Sequence, residues 1–80
     1  MAWEEKNDAL NHKFEFKNFR EAFAFMTQVA LIAEKMDHHP TWTNTYNKVE
    51  LWLNTHDAGN KVTDKDKKLA AAIDKILPKE

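Results

Sequence analysis

The sequence predicts an α+β domain in which a four-stranded antiparallel sheet carries two helices on one face, in the order β-β-α-β-β-α. Apolar and polar residues alternate at period two over Leu10–Phe16 and again over Val49–Asn54, the mark of half-buried strands. Between these runs, apolar residues recur at helical spacing from Phe19 to Met36. A second helical run, Thr63 to Leu77, follows the last strand.

Taken in order, Trp3 to Asp8 is short and charged and reads as an edge strand, with Asn7-Asp8-Ala9 as the turn of a hairpin. Leu10, Phe14 and Phe16 on the second strand then face a core, and His12 stands in the same row. His12 reads most simply as a partly buried histidine that hydrogen-bonds locally. Asn18 opens the long helix, and Glu21 three residues later completes a capping-box pattern. The helix should end near Met36 or Asp37. Phe19, Ala22, Phe23, Phe25, Met26, Val29, Ala30, Ile32, Ala33 and Met36 occupy about half of its circumference, wide for one sheet face. Leu31 lies on the opposite arc, among Arg20, Thr27, Gln28 and Glu34. One exposed leucine is ordinary; with so wide an arc, a helix-to-helix contact between subunits is the competing expectation.

Pro40 disfavours helical backbone at the residue before it, so the helix stops at the corner Asp37-His38-His39-Pro40 and His39 is extended. Thr41–Tyr46 and Lys48–Thr55 read as two strands joined tightly around Asn47, with Val49, Leu51 and Leu53 facing one way and Glu50, Trp52 and Asn54 the other. Thr55-His56-Asp57-Ala58-Gly59 breaks this pattern and leaves His56 on a loop. Thr63 with Asp66 opens the final helix, with Leu69, Ala72, Ile73, Ile76 and Leu77 on one side, which should end before Pro78.

Eighty residues make one domain, 1–80, whose core is thin enough that association of chains is a reasonable expectation. There is no cysteine, which removes disulfides and thiolate zinc sites. With no signal peptide or long apolar run, the expectation is a soluble cytoplasmic protein that does not enter a membrane. Lys plus Arg number 12 against 13 Asp plus Glu, a net charge of −1, so the broad positive field that direct nucleic-acid binding needs is missing.

The antiparallel return of the last strand allows His38, His39 and His56 to meet at one end of the sheet. A small pocket there, walled by Pro40 and Trp42, would hold a flat heterocycle by stacking while the imidazoles address its polar edge. Imidazole supplies both acid and base near neutrality, which suits paired proton transfers. Metal binding is disfavoured, because adjacent histidines seldom converge on one ion and no supporting carboxylate pattern is evident beyond Asp37 and Asp57. Nucleophilic catalysis would have no cysteine or serine to use. A purely structural alternative stays open, in which His38 and His39 cap the helix C-terminus.

The run Glu34-Lys35-Met36-Asp37-His38-His39-Pro40-Thr41-Trp42, with Asn44, Tyr46-Asn47-Lys48-Val49 and Thr55-His56-Asp57-Ala58-Gly59, closely resembles the pterin-4a-carbinolamine dehydratase family. Phe14-x-Phe16-x-x-Phe19, leading into Ala22-Phe23-x-Phe25-Met26-Thr27-x-Val29-Ala30, resembles it too. The likeness extends from Trp3 to about Ile73. It implies a 4a-hydroxytetrahydropterin substrate and dehydration to a quinonoid dihydropterin in tetrahydrobiopterin recycling, without redox cofactor or metal. By the same resemblance the catalytic residues are His38, His39 and His56, with substrate contacts at Asp37, Pro40, Trp42, Thr55, Asp57 and Ala58. His39 and His56 are assigned the opposed acid and base roles, and His38 orients the substrate. The resemblance further implies a homodimer or homotetramer. It also carries an alternative role as dimerisation cofactor of a homeodomain transcription factor in animals, acting through the long helix, with a nuclear location in that case. Three departures stand out: the family's usual N-terminal helix is missing before Trp3, the loop Gly59–Thr63 is one residue longer, and Trp52 occupies an outward strand position where smaller residues are usual. For Trp52 a cross-strand packing role is expected.

Overall fold

A computed structural model describes residues 3–77. The first hairpin joins β1 (Glu4–Lys6) to β2 (Ala9–Glu15) through Asn7 and Asp8. Their φ values of 54° and 61° are both left-handed, as a two-residue type I′ turn requires and as Asn and Asp tolerate.

Helix α1 (Phe19–Met36) starts where Asn18 Oδ1 accepts the Glu21 N–H at 3.0 Å. The reciprocal half of the expected capping box is displaced by one residue, since Glu21 Oε1 accepts the Lys17 N–H, not that of Asn18. Its buried stripe is Ala22, Phe25, Val29 and Ala33. Phe19 and Phe23 instead lie against each other with tilted rings 5.5 Å apart and remain 46% and 54% exposed, so one flank of the predicted apolar arc lies outside the core. Ala22 and Ala33 are enclosed, at 0% and 1% exposure. At the C-terminal end Asp37 takes a left-handed conformation (φ 53°, ψ 42°). The Asp37 N–H donates to Glu34 O and the His38 N–H to Ala33 O, the paired bonds of a Schellman ending with Asp where glycine is usual.

β3 (Thr41–Thr45) and β4 (Lys48–Leu53) form the second hairpin around Tyr46 and Asn47. Asn47 ties the two hairpins together: its Nδ2 donates to Phe16 O at 2.9 Å and its carbonyl accepts the Phe16 N–H at 2.8 Å. The strand order is β1-β2-β4-β3, antiparallel throughout. Registers Leu10↔Leu53, Phe14↔Val49 and Trp42↔Leu51 stack apolar residues on one face, over which Leu51, Leu53, Leu69, Ile73, Val29 and Val49 are fully buried. On the other face Trp52 lies between Asn11 and Thr41, as a cross-strand partner should. β4 stops at Leu53, earlier than predicted, and Thr55 instead bridges to Lys61.

His12 is half-buried, donates from Nδ1 to Lys13 O at 2.8 Å and stacks on Phe14 at 4.0 Å, a local role. Helix α2 (Asp64–Ile76) begins with the predicted Thr63/Asp66 capping box. Trp3 Nε1 donates to Asp74 Oδ1 at 2.9 Å and so fastens the start of the chain to α2. Pro78, expected to stop this helix, lies outside the described residues, as do Met1 and Ala2, on which the reading of a missing N-terminal helix rested. No helix among the described residues is long and apolar enough to cross a membrane.

Candidate active site

Because Thr41 pairs with Trp52, the beginning of β3 lies beside the end of β4. The corner entering β3 and the loop leaving β4 therefore meet, and between them opens a cleft of about 360 Å³. The corner contributes Asp37, His38, His39 and Pro40; the loop contributes Thr55, His56 and Asp57. All three imidazoles expected to share a site line it. Two predicted contacts do not. Trp42 alternates onto the helix-bearing face opposite Leu51 and packs against the core. Ala58 is exposed at the end of a single 3-10 turn, His56–Ala58, away from the lining. The apolar wall expected from Trp42 is thus absent, and most of the lining is polar, including Thr41, Asn54 and Lys65.

His38 is the most constrained of the three. Its side chain is 12% exposed, and its Nε2 lies 2.5 Å from Oδ1 of Asp66, which is fully buried. An ionised carboxyl group can only accept, so the ring proton sits on Nε2 and Nδ1 is the nitrogen not engaged by Asp66. The second carboxyl oxygen, Oδ2, accepts the Thr63 N–H and the Thr55 hydroxyl, each at 2.8 Å. Since the Thr55 proton is committed to Asp66, the 2.7 Å contact between the two threonine hydroxyls must run from Thr63 to Thr55. Asp66 thereby holds together the histidine corner, the end of β4 and the start of α2. Among the described residues no buried side-chain polar atom is left without a partner.

His39 is different. Its side chain is 57% exposed, with Nε2 2.8 Å from Oε1 of Glu34, itself 80% exposed. In solvent such a pair adds little stability, but it orients the ring. His56 is exposed at the start of the 3-10 turn and makes no side-chain hydrogen bond among the described residues. Its loop is nevertheless fixed: the Thr55 N–H donates to Lys61 O at 2.8 Å and the Asn60 N–H to Thr55 O at 3.0 Å. Closing this loop requires successive left-handed residues, Gly59 (φ 79°) and Asn60 (φ 60°), types that accept the conformation at little cost.

Asp66 was legible in the sequence only as a helix cap. The overlooked signal is that it heads the buried row Asp66, Leu69, Ala70 and Ile73, an acidic residue in line with an apolar stripe. Glu34, Asn54 and Lys65 were also missed, and of these only Glu34, five residues before His39, stood close enough in sequence to suggest a pairing.

The profile of the family described as Pterin 4 alpha carbinolamine dehydratase matches residues 1–76. A protein of Prochlorococcus marinus (strain NATL2A) is 53% identical over 76 residues, covering 95% of this chain and 79% of its own. One from Paraburkholderia xenovorans (strain LB400) is 56% identical over 69 residues, covering 86% and 71%. Both carry the name pterin-4-alpha-carbinolamine dehydratase provisionally. Among solved structures, a transcriptional coactivator/pterin dehydratase from Brucella melitensis superposes with a TM-score of 0.89 at 44% identity, covering 96% of this chain and 83% of that one. A pterin dehydratase-like protein described as a RuBisCO assembly factor of the alpha-carboxysome shares the fold, with a TM-score of 0.83 at 19% identity over 100% of this chain and 94% of its own. By sequence, topology and fold, this chain belongs to the pterin-4-alpha-carbinolamine dehydratase family.

Proposed function

We propose that this protein dehydrates a 4a-hydroxytetrahydropterin to the quinonoid dihydropterin by histidine acid/base catalysis. The observation that carries the reading is the single cleft lined by His38, His39 and His56, one of them locked by a buried carboxylate. Its volume falls within the range of small-molecule sites and suits a flat bicyclic ring. In the reaction the C4a–O bond breaks as an acid delivers a proton to the departing hydroxyl. The N5 lone pair forms the new bond to C4a, a base takes the N5 proton, and water leaves. His39 and His56 are exposed, so each can exchange protons with solvent between turnovers, and they take the acid and base roles. His38, held by Asp66, orients the ring. Freshly generated carbinolamine followed optically should disappear faster with the protein than in buffer; folded protein that gives no acceleration overturns the proposal. The cytoplasmic location expected from composition belongs to the same proposal.

A second reading concerns α1, on which Phe19, Phe23 and Leu31 are 46%, 54% and 68% exposed. We infer that this exposed side of α1 joins subunits of a homodimer or homotetramer, and in a coactivator role it would seat a protein partner. Leu31→Glu should lower the sedimenting mass while pterin binding is retained, because Leu31 is outside the cleft. Unchanged sedimentation rejects this surface as the interface.

A further inference from the structure

We infer that Asn54 is a specificity-determining residue that reads the lactam edge of the pterin; the inference rests on the dehydratase reading above. In the 4-oxo form of a pterin, N3–H donates and the neighbouring O4 accepts, the pattern of a cis amide. A carboxamide matches that edge with two antiparallel hydrogen bonds, its oxygen accepting from N3–H and its NH₂ donating to O4.

Asn54 is the one cleft-lining side chain that carries a donor and an acceptor side by side on a single planar group, whereas the two nitrogens of an imidazole point away from each other. Ionised Asp37 and Asp57 can only accept, and Lys65 can only donate. The Thr55 hydroxyl is already occupied between Asp66 and Thr63. Asn54, by contrast, is half-buried and its amide makes no hydrogen bond among the described residues, leaving both functions for a ligand.

Its position also fits the reacting atoms. Beyond the last pair of the ladder, Thr41↔Trp52, Asn54 and His39 both line the cleft. Asn54 also precedes His56 by two residues, about 6.5 Å along extended backbone. In the pterin, O4 stands on the carbon next to C4a, on the same side as N5. A group reading N3–H and O4 therefore has to stand beside the groups that serve C4a and N5.

The test compares Asn54→Ala with the unaltered protein, using fluorescence titration of pterin and of 3-methylpterin, together with steady-state dehydration. 3-Methylpterin carries a methyl group where pterin carries N3–H, so it cannot make the paired bonds. Asn54→Ala should raise KM about tenfold, the loss expected for two modest hydrogen bonds, with kcat changed far less. Unaltered protein should prefer pterin to 3-methylpterin, and Asn54→Ala should narrow that preference about tenfold. That ratio is measured within one variant, so partial misfolding does not alter it. An unchanged KM in Asn54→Ala, or a preference for pterin that the substitution leaves unchanged, overturns the inference while the dehydratase reading stands. Unaltered protein that neither accelerates dehydration nor binds pterin overturns both.

Discussion

Asp66→Asn is expected to slow carbinolamine dehydration by about 100-fold while the domain stays folded. Three donors converge on Asp66, from His38 Nε2, the Thr63 N–H and the Thr55 hydroxyl. Asparagine has one accepting oxygen. If that oxygen keeps the Thr63 and Thr55 bonds, which also cap α2, its NH₂ faces His38 and turns Nε2 into an acceptor. The ring proton then moves to Nδ1, and the nitrogen otherwise free to meet the substrate changes from acceptor to donor. The lost charge-assisted bond should lower stability by about 2 kcal/mol, tolerable where small domains keep roughly 0.05–0.15 kcal/mol per residue. Ring ¹⁵N shifts of His38 report the tautomer, and kcat reports its consequence. A flipped tautomer with undiminished kcat would show that His38 takes no part in turnover. Asp66→Ala is less informative. It strands all three donors in a buried site, at about 1–3 kcal/mol each, and removes a cap contact worth about 1 kcal/mol. The sum approaches the whole stability of a domain this small, so loss of activity there would report unfolding.

The architecture could be read from the chain because its signals are local. Alternation over Leu10–Phe16 and Val49–Asn54 placed two central strands, Asn7-Asp8 marked a turn, and Thr63/Asp66 marked a helix start, each decided within a few residues. The ending of α1 was also local, since His39 before Pro40 cannot continue a helix. What escaped depended on partners far along the chain. Asp66 satisfies its capping role completely, which concealed its second oxygen's bond to His38, 28 residues away. Trp42 stands in an otherwise polar strand, and which face it takes follows from its register with Leu51, not from its neighbours. The apolar arc of α1 overstated the buried surface because a cylinder on a sheet is covered only along its line of contact, leaving Phe19 and Phe23 outside. The cleft was legible in outline for the same topological reason: an antiparallel hairpin necessarily returns the end of β4 to the start of β3. Its polar lining was not, because Asn54 and Lys65 carry no motif.

Alanine at His39 or at His56 should each reduce kcat by about 100-fold or more, the usual contribution of a positioned acid or base. Both side chains are exposed, so neither change should unfold the domain or leave a buried polar group stranded. The two losses should not multiply in the double variant. If proton delivery to the C4a hydroxyl and proton removal from N5 occur in one transition state, deleting one partner already removes the benefit of the other, and the uncatalysed reaction sets a floor. The vacated positions open to solvent, so added imidazole should restore part of the rate in His39→Ala and in His56→Ala, saturating with imidazole concentration. A residue that merely shaped the cleft would show no such rescue. Glu34→Gln provides a graded comparison: it keeps a hydrogen-bonding group beside His39 Nε2 but removes the charge from an exposed pair, so its effect on kcat should be well below that of His39→Ala. Full activity in both histidine variants would move the chemistry out of this cleft, whatever the rate of the unaltered protein.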